Sequence, residues 1–476
     1  MSRIKNVLIA TLLLCAISFG GPIFAQDAAQ RDAGQLARRN IEAGKTVSKT
    51  AQKAQKREIL EGAHVSFDEI LKSPDDVELN FQFAKQQVAE NDMLGAASTL
   101  ERILIANPKL DQIRLFYLVV LFRLDNMTGA QQEIEILKTR ALTGDLQAEL
   151  KRYEKEIKKR KRSTHFTVNQ TVGMGLNTNR NASSSSKKNY FANTLIDVSP
   201  DSRAKRDTHF LNVTNVSVVQ DLPFQDGHQL LGSVTYFRQE QNLQNNLDLA
   251  ALQYDVGAKF KSKFFNITPK FESSHTLLSG ESFLRSYGGS VVADREFLNG
   301  RMNVFQSHRL TNQNYLNITE SNTAEQRRGN QYEMEQGATF ALTPTMSLSS
   351  SIGYLHKKAK EDFNAYDRIS FDFGHQWIWP KGQFLINALT AGFDQYDEPD
   401  LALASRERHD RNMRYRLTYG APLGTLLFPL KKILPGEVKN ITATFSYEYY
   451  RAYSNYANYS YHSNQVQMLF TKRWEF

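Results

Sequence analysis

Towards its carboxy terminus the chain alternates in character residue by residue. Val466, Met468, Phe470, Trp474 and Phe476 fall on one face at period two, interrupted by Lys472, while Gln465, Gln467, Thr471, Arg473 and Glu475 occupy the other. Successive side chains of a strand point to opposite faces, so this segment predicts a strand greasy on one side and polar on the other. The same alternation recurs upstream and predicts about fourteen strands. The first seven lie near 165–177, 208–219, 229–241, 249–260, 264–276, 285–296 and 301–314. The others lie near 328–340, 346–359, 366–378, 383–395, 408–421, 439–453 and 462–476. An even set of strands with this pattern predicts a transmembrane antiparallel β-barrel, apolar outward and polar inward.

Few soluble strands end a chain on Trp-x-Phe. The ending resembles the signal by which outer-membrane barrels are recognised, with Phe470, Trp474 and Phe476 as its residues and the barrel assembly machinery as the partner implied. The other face supplies candidate lumen residues Thr167, Asn169, Thr171, Gln467, Arg473 and Glu475, polar groups that keep water inside a barrel. Fourteen strands make a pore somewhat narrower than the roughly 16–18-stranded porins with open aqueous channels. Connections alternate in length. Outward loops are expected at 178–207, 242–248, 277–284, 315–327, 360–365, 396–407 and 454–461, and short inward turns at Lys261-Ser262-Lys263, Leu298-Asn299-Gly300 and Pro380-Lys381-Gly382. The inward connection 422–438 is long and apolar. It reads either as a loop buried against the barrel floor, or as an interfacial segment or a contact with the helical domain.

A second periodicity precedes the strands. Asn91-Asp92-Met93-Leu94-Gly95-Ala96 returns 34 residues later as Asp125-Asn126-Met127-Thr128-Gly129-Ala130, and the same offset relates Pro74 to Pro108, Phe83 to Tyr117, Ala84 to Leu118, Leu100 to Ile134 and Ile103 to Leu137. A helix–turn–helix period of that length resembles the tetratricopeptide repeat, although the Trp and the early Gly that the repeat favours are missing. Ser66 with Glu69 predicts a capping box at the entering helix, and Asp145 to Lys159 a closing helix. A short solenoid of this kind docks peptides or proteins on a concave face, whose candidate residues are Phe83, Gln87, Tyr117 and Leu121.

The amino terminus changes the compartment. Arg3 and Lys5 open it, an apolar run follows from Val7 to Ile17, and Ile23-Phe24-Ala25 offers a cleavage site, which predicts a signal peptide over 1–25. Cleavage removes Cys15, the chain's single cysteine, and leaves a net charge of +7, two below the full chain's +9. Disulfides, thiol nucleophiles and Cys-ligated metals are then excluded. Residues 26–62, rich in Ala, Gln, Lys and Arg, predict a flexible arm, residues 63–162 a periplasmic helical domain, and residues 163–476 an outer-membrane barrel. No later stretch approaches the ~20 apolar residues of a membrane helix. For an exported basic chain the expected counterions are anionic lipids and lipopolysaccharide, not nucleic acid.

Enzymatic patterns are missing. The ten histidines are scattered, and there is no H-E-x-x-H, no G-x-S-x-G and no phosphate-binding loop. His209 and His409 read as ordinary rim residues, and the Asn/Ser-rich run 177–186 as an exposed hairpin. No cofactor is expected and no catalytic role is assigned.

Together the leader, the arm, the short tetratricopeptide-like domain and the barrel opening Gly173-Met174-Gly175-Leu176-Asn177-Thr178-Asn179 resemble the surface lipoprotein assembly modulators (Slam). The resemblance implies a translocation aid: the helical domain holds an exported protein client, which passes through or along the barrel, and folding of the client outside supplies the driving free energy. An exopolysaccharide secretion porin and a diffusion porin with an accessory domain are the alternatives.

Overall fold

The structure is a computed structural model that describes residues 65–476 apart from 74, 91, 161, 224–226 and 429–435. The leader and the arm expected from the sequence lie outside the described residues. The chain divides into two compact units between Ser163 and Thr164.

The first unit is helical. It contains α1 (Phe67–Lys72), α2 (Val77–Ala89), α3 (Met93–Ala106), α4 (Asp111–Arg123), α5 (Met127–Lys138) and α6 (Gly144–Arg160). The capping box at α1 is present: Ser66 Oγ accepts the Glu69 amide, and Glu69 Oε2 accepts the Ser66 amide. The pair α2–α3 repeats as α4–α5, with both helix starts displaced by 34 residues, Val77 to Asp111 and Met93 to Met127. Burial repeats with the same period. Phe81 and Leu115, Ala84 and Leu118, Ala96 and Ala130, Leu100 and Ile134, and Ile103 and Leu137 are all buried.

The repeated Asp/Asn-Met-x-Gly is the start of the second helix in each pair. Asp92 Oδ1 accepts the Gly95 amide at 2.9 Å, and Asn126 Oδ1 accepts the Gly129 amide at 3.0 Å. Each side chain satisfies an amide that the first turn leaves open. A Cβ on Gly95 would stand 2.8 Å from Asp92 Cγ and 2.7 Å from Gln87 Nε2, so glycine gives the cap its room. The closing helix α6 buries Leu150 and Ile157 against the second pair.

The second unit is a closed barrel of fourteen antiparallel strands. In chain order they begin with β1 (Thr164–Asn177), followed by a separate hairpin of β2 (Lys188–Phe191) and β3 (Thr194–Asp197), then β4 (Asp207–Asp221), β5 (Gln229–Gln241), β6 (Leu249–Lys259), β7 (Asn266–Leu278) and β8 (Glu281–Phe297). They continue with β9 (Met302–Tyr315), β10 (Gly329–Thr343), β11 (Met346–Lys357), β12 (Tyr366–Trp379), β13 (Gln383–Tyr396), β14 (His409–Pro422), β15 (Thr442–Ser454) and β16 (Tyr461–Glu475). Each barrel strand pairs with its neighbours in sequence order, and β16 closes on β1 through eleven residue pairs from Thr167–Glu475 to Asn177–Gln465. Because the side-chain period is two, this register sends Met174, Phe210 and Met468 outward together, where all three are exposed or nearly so. Exposed Phe260, Phe264, Phe297, Phe428, Trp474 and Phe476 gather at the proximal end, where β1 begins and β16 stops.

Three connections differ from expectation. The turn after β7 is two residues, Ser279 (φ 52°) and Gly280 (φ 83°), not the loop expected at 277–284; two successive left-handed residues fold the strands straight back, so β8 reaches 17 residues. The hairpin β2–β3 was not anticipated; its alternation is too short to separate from loop. The connection 422–438 carries two short helices, α7 (Leu423–Leu426) and α8 (Gly436–Lys439). Leu426, Leu427 and Phe428 are exposed there, and Lys381 Nζ lies 5.5 Å from the Phe428 ring. A loop buried against the barrel floor would hide those side chains.

Candidate functional site

The closing seam places the candidate lumen residues on one wall. Thr167 pairs with Glu475, Asn169 with Arg473, Thr171 with Thr471 and Gly175 with Gln467, all on the face opposite Met174 and Trp474. The Thr171 and Thr471 hydroxyls are 2.8 Å apart, and Arg473 Nε lies 3.0 Å from Glu475 Oε1. Phe470, Trp474 and Phe476 take the outward parity. The Phe476 amide donates to the Phe166 carbonyl at 3.0 Å, so the terminal residue is tied into the seam.

Further round, the lumen wall carries charge in opposed pairs. Arg309 reaches Glu272 and Glu333, each at 3.2 Å. Arg368 grips Asp394 through Nε and Nη2, both at 2.6 Å, and Arg416 Nε donates to Glu448 at 2.9 Å. Arg309–Glu333, Arg368–Asp394 and Arg416–Glu448 are direct cross-strand partners, so they pin the register as well as wetting the wall. Both signs are interspersed here, Arg309 lying between two glutamates and Arg416 sharing Glu448 with Arg414. The wall at β16, β1, β4 and β5 adds an apolar cluster of Leu469, Leu211 and Phe237 beside Gly173, set among Thr171, Thr471, Asn215 and Thr235. The lumen is therefore polar all round, with paired charges on one side and a single apolar cluster on the other.

At the distal end, loops fold over the strands. Residues 177–186 are not the exposed hairpin that composition suggests: Asn177, Asn179, Ser183 and Ser184 are buried. Asn179 Nδ2 donates to the Ser183 carbonyl at 2.8 Å and to the His462 carbonyl at 3.1 Å, while its Oδ1 accepts the Ser183 amide at 2.9 Å. Asparagine substitutes here for backbone, which its short amide does well. The signal was legible in Asn177-Thr178-Asn179, two residues placed to serve a turn. Beyond it, the β2–β3 hairpin docks on the loops 397–408 and 455–460. The Ala192 amide donates to Ala402 O at 3.0 Å, and the Tyr190 amide to Asn458 Oδ1 at 2.7 Å. Leu403, Ala404, Tyr456 and Tyr459 form a core of their own, and the Arg408 guanidinium sits 3.3 Å from the Tyr459 ring centre.

A second group of loops packs around Leu247, Phe283, Ile318 and Ala324. Arg180 links the two groups by donating to the Leu247 carbonyl at 3.3 Å. Burial lowers its pKa to about 10, opposed by Asp207 and Asp248. His209 stands at the distal rim as expected, paired with Gln241 at the end of β5, but is buried there with Nε2 3.2 Å from Gln467 Nε2; His409 is exposed.

In the helical unit, Phe83 and Gln87 line a concave pocket with Gly95, Ser98, Thr99 and Arg102. Thr99 Oγ1 donates to Gln87 Oε1 at 2.9 Å, and Arg102 bonds Asn80. Tyr117 is half-buried between the two helix-pair cores, its phenol raised above the ordinary range by burial and by Glu101 and Glu133. Leu121 is a correction. It is 5% exposed and packs with Leu118, Ile134 and Leu137, because α4 turns Ile113 and Val120 towards α2–α3 and Leu115, Leu118 and Leu121 towards α5–α6. Little of α4 is left to meet a client.

No protein-family profile matches the chain, and no curated protein sequence matches it significantly. Among solved structures, the outer membrane protein OpdK of Pseudomonas aeruginosa aligns at 7% identity over 66% of this chain and 99% of its own, with a TM-score of 0.30. The outer membrane channel DcaP of Acinetobacter baumannii aligns at 10% identity over 65% and 97%, with a TM-score of 0.36. A bacterial polysaccharide outer membrane secretin aligns at 9% over 65% and 98%, with a TM-score of 0.33. The fourteen-strand closure itself rests on the pairing of this chain's own strands.

Proposed function

We propose that this chain spans the bacterial outer membrane and helps an exported protein, a surface lipoprotein or a secreted ligand-binding protein, to cross it. In this reading the tetratricopeptide-like helical unit lies in the periplasm and holds the unfolded client, and the barrel supplies the path. The observation that carries it is the joining, in one chain, of a closed barrel with a polar lumen to a 34-residue helical repeat that keeps an open concave pocket at Phe83 and Gln87. An outward face of exposed apolar side chains, with aromatics gathered at one end, suits lipid. An even strand count returns the chain to the side where it entered, which supports a reading with both barrel ends and the helical unit in the periplasm.

The route favoured is the lumen. The β1–β16 seam is paired over eleven residue pairs, and opening it sideways would leave unpaired backbone groups in hydrocarbon. An extended chain can slide past polar groups already paired with one another and a single small apolar cluster without being held by either. No nucleotide is available in the periplasm, so folding of the client outside supplies the direction.

Removing residues 63–162 while keeping leader and barrel tests this reading. The barrel should insert and run as a heat-modifiable band, and the client should be stranded in the periplasm with its total amount unchanged. Normal protein display in that deletion, with loss of a secreted polysaccharide, would replace this reading by the polysaccharide porin.

A further inference from the structure

The outward face of a spanning strand meets hydrocarbon, and a polar group there needs a partner because lipid tails offer none. Gln336 is the central residue of the fifteen-residue β10, seven positions from either end, and it points outward and is exposed. The register aligns it in a row across five strands: Ala293, Gln306, Gln336, Ile352 and Phe371. Two glutamines therefore stand side by side at mid-height on the outward face. One step along β9, His308 takes the same outward parity, with Nε2 2.9 Å from Gln306 Nε2 and Nδ1 2.8 Å from the Tyr332 hydroxyl. Gln336 has no side-chain hydrogen bond among the described residues. Exposed Val291, Leu310 and Ile352 surround the group.

Elsewhere the outward face behaves otherwise. On β12 and β13 the mid-strand outward positions include apolar Ile369, Phe371, Phe373, Leu389 and Phe393. The polar pair among them is satisfied, with Asn387 Nδ2 3.1 Å from His375 Nδ1 and its Oδ1 accepting from the Tyr415 hydroxyl at 3.0 Å. Near the seam, outward Gln170 is satisfied within its own barrel: its Nε2 donates to Asn212 at 2.8 Å, and its Oε1 accepts from the Thr214 hydroxyl at 2.7 Å. Among the described residues, the β9–β10 patch is the one where a side-chain amide at mid-height on the outward face is left over.

We propose that the outward face of β9–β10 is an interface with a second copy of this chain, forming a two-fold dimer within the membrane. The inference rests on the membrane-spanning reading of the barrel. A second copy is the partner that fits because every glutamine carries both donors and an acceptor, so Gln306 and Gln336 complement their own image. Two copies inserted the same way up are related by an axis along the membrane normal, which brings Gln336 towards its mate. A single self-complementary patch closes as a pair, not a ring. The apolar rim excludes competing headgroups and water, and side-chain hydrogen bonds between membrane segments then hold the pair together.

The full-length protein in phosphatidylethanolamine/phosphatidylglycerol nanodiscs gives the test, with copy number read by native mass spectrometry. Two copies per particle are expected, and Gln336→Cys should cross-link with a short bis-maleimide to twice the chain mass while Phe371→Cys does not. The double variant Gln306→Leu with Gln336→Leu should keep heat-modifiable mobility and fall to one copy. One copy per particle in the wild type, a double variant that stays paired, or a cross-link to a protein of another mass would each overturn the dimer. A wild type without heat-modifiable mobility would instead remove the membrane reading beneath it.

Discussion

Leu469 of β16 stands over the bare Cα of Gly173 in β1, with its Cδ2 2.7 Å from where a Gly173 side chain would begin. The two are direct register partners across the closing seam, and Leu211 of β4 is the partner of Gly173 on the other side. Filling this space forces either the leucine or the strand backbone to move. Gly173→Val should therefore prevent closure and remove the heat-modifiable band, and Gly173→Ala should cost about 1–3 kcal/mol as an overpacked position. Gly392→Ala, whose added atom would have Arg368 Cδ at 3.7 Å, should be tolerated. Equal yields of the Gly173 and Gly392 variants would refute this account of the seam.

Changing Trp474 and Phe476 together to Ser should lower the amount of folded barrel in the membrane fraction. Both side chains are exposed on the outward face beside Phe166, a placement that suits the proposed contact with lipid and the proposed presentation of the terminal strand for insertion. Arg473→Ser, on the lumen parity, should leave the yield closer to normal. Quantifying folded and unfolded bands for the three proteins decides it.

Leu121→Ala should cost the helical unit about 2–5 kcal/mol, since the side chain is buried in the second helix-pair core. Gln87→Ala, in the concave pocket, should cost far less and act on client capture instead. Denaturant unfolding measures the first effect and client co-purification the second.

Topology can be read with single cysteines. Lys187→Cys and Asn317→Cys are exposed in distal loops and should label in intact cells, whereas exposed Ser262→Cys in a proximal turn should not. Ser184→Cys should label slowly despite its distal position, because Ser184 is buried and its hydroxyl donates to the Ala457 carbonyl. Labelling of position 262 with 187 and 317 silent would invert the barrel.

Asp400 gives the distal loops a pH dependence. Its pKa is raised by burial, partly opposed by the Ala402 amide and Arg408. A carboxyl raised in the folded state is favoured there in its protonated form, so loop packing should be strongest in acid and weaken as pH rises just above the ordinary carboxylate range. Asp400→Asn removes the titration. Amide exchange of residues 397–408, compared between the two proteins at each pH, should show the wild type losing protection across that window while Asn does not.

The strands were legible because two periodicities are hard to mistake. Gln229–Gln241 was read to the residue, and the 34-residue displacement of helix starts follows from the Asp92–Gly95 and Asn126–Gly129 caps. What escaped were features set by tertiary neighbours. Ser-rich residues 183–186 resemble open loop until Asn179 and Ala457 are seen to hold them, and Leu121 resembles a docking residue until α5 and α6 cover it. The turn at Ser279-Gly280 was missed because composition there allowed a longer loop. The outward Gln306–Gln336 row becomes visible only when β9 and β10 are laid side by side.

The pairing of β1 with β16 also orders events in time. A sheet whose first strand bonds its last cannot become a tube until the final residue has been delivered. The helical unit is complete before the first strand of that tube is made. On the proposed reading, the helical repeat would then be ready to meet a client before the barrel that serves as its exit has closed.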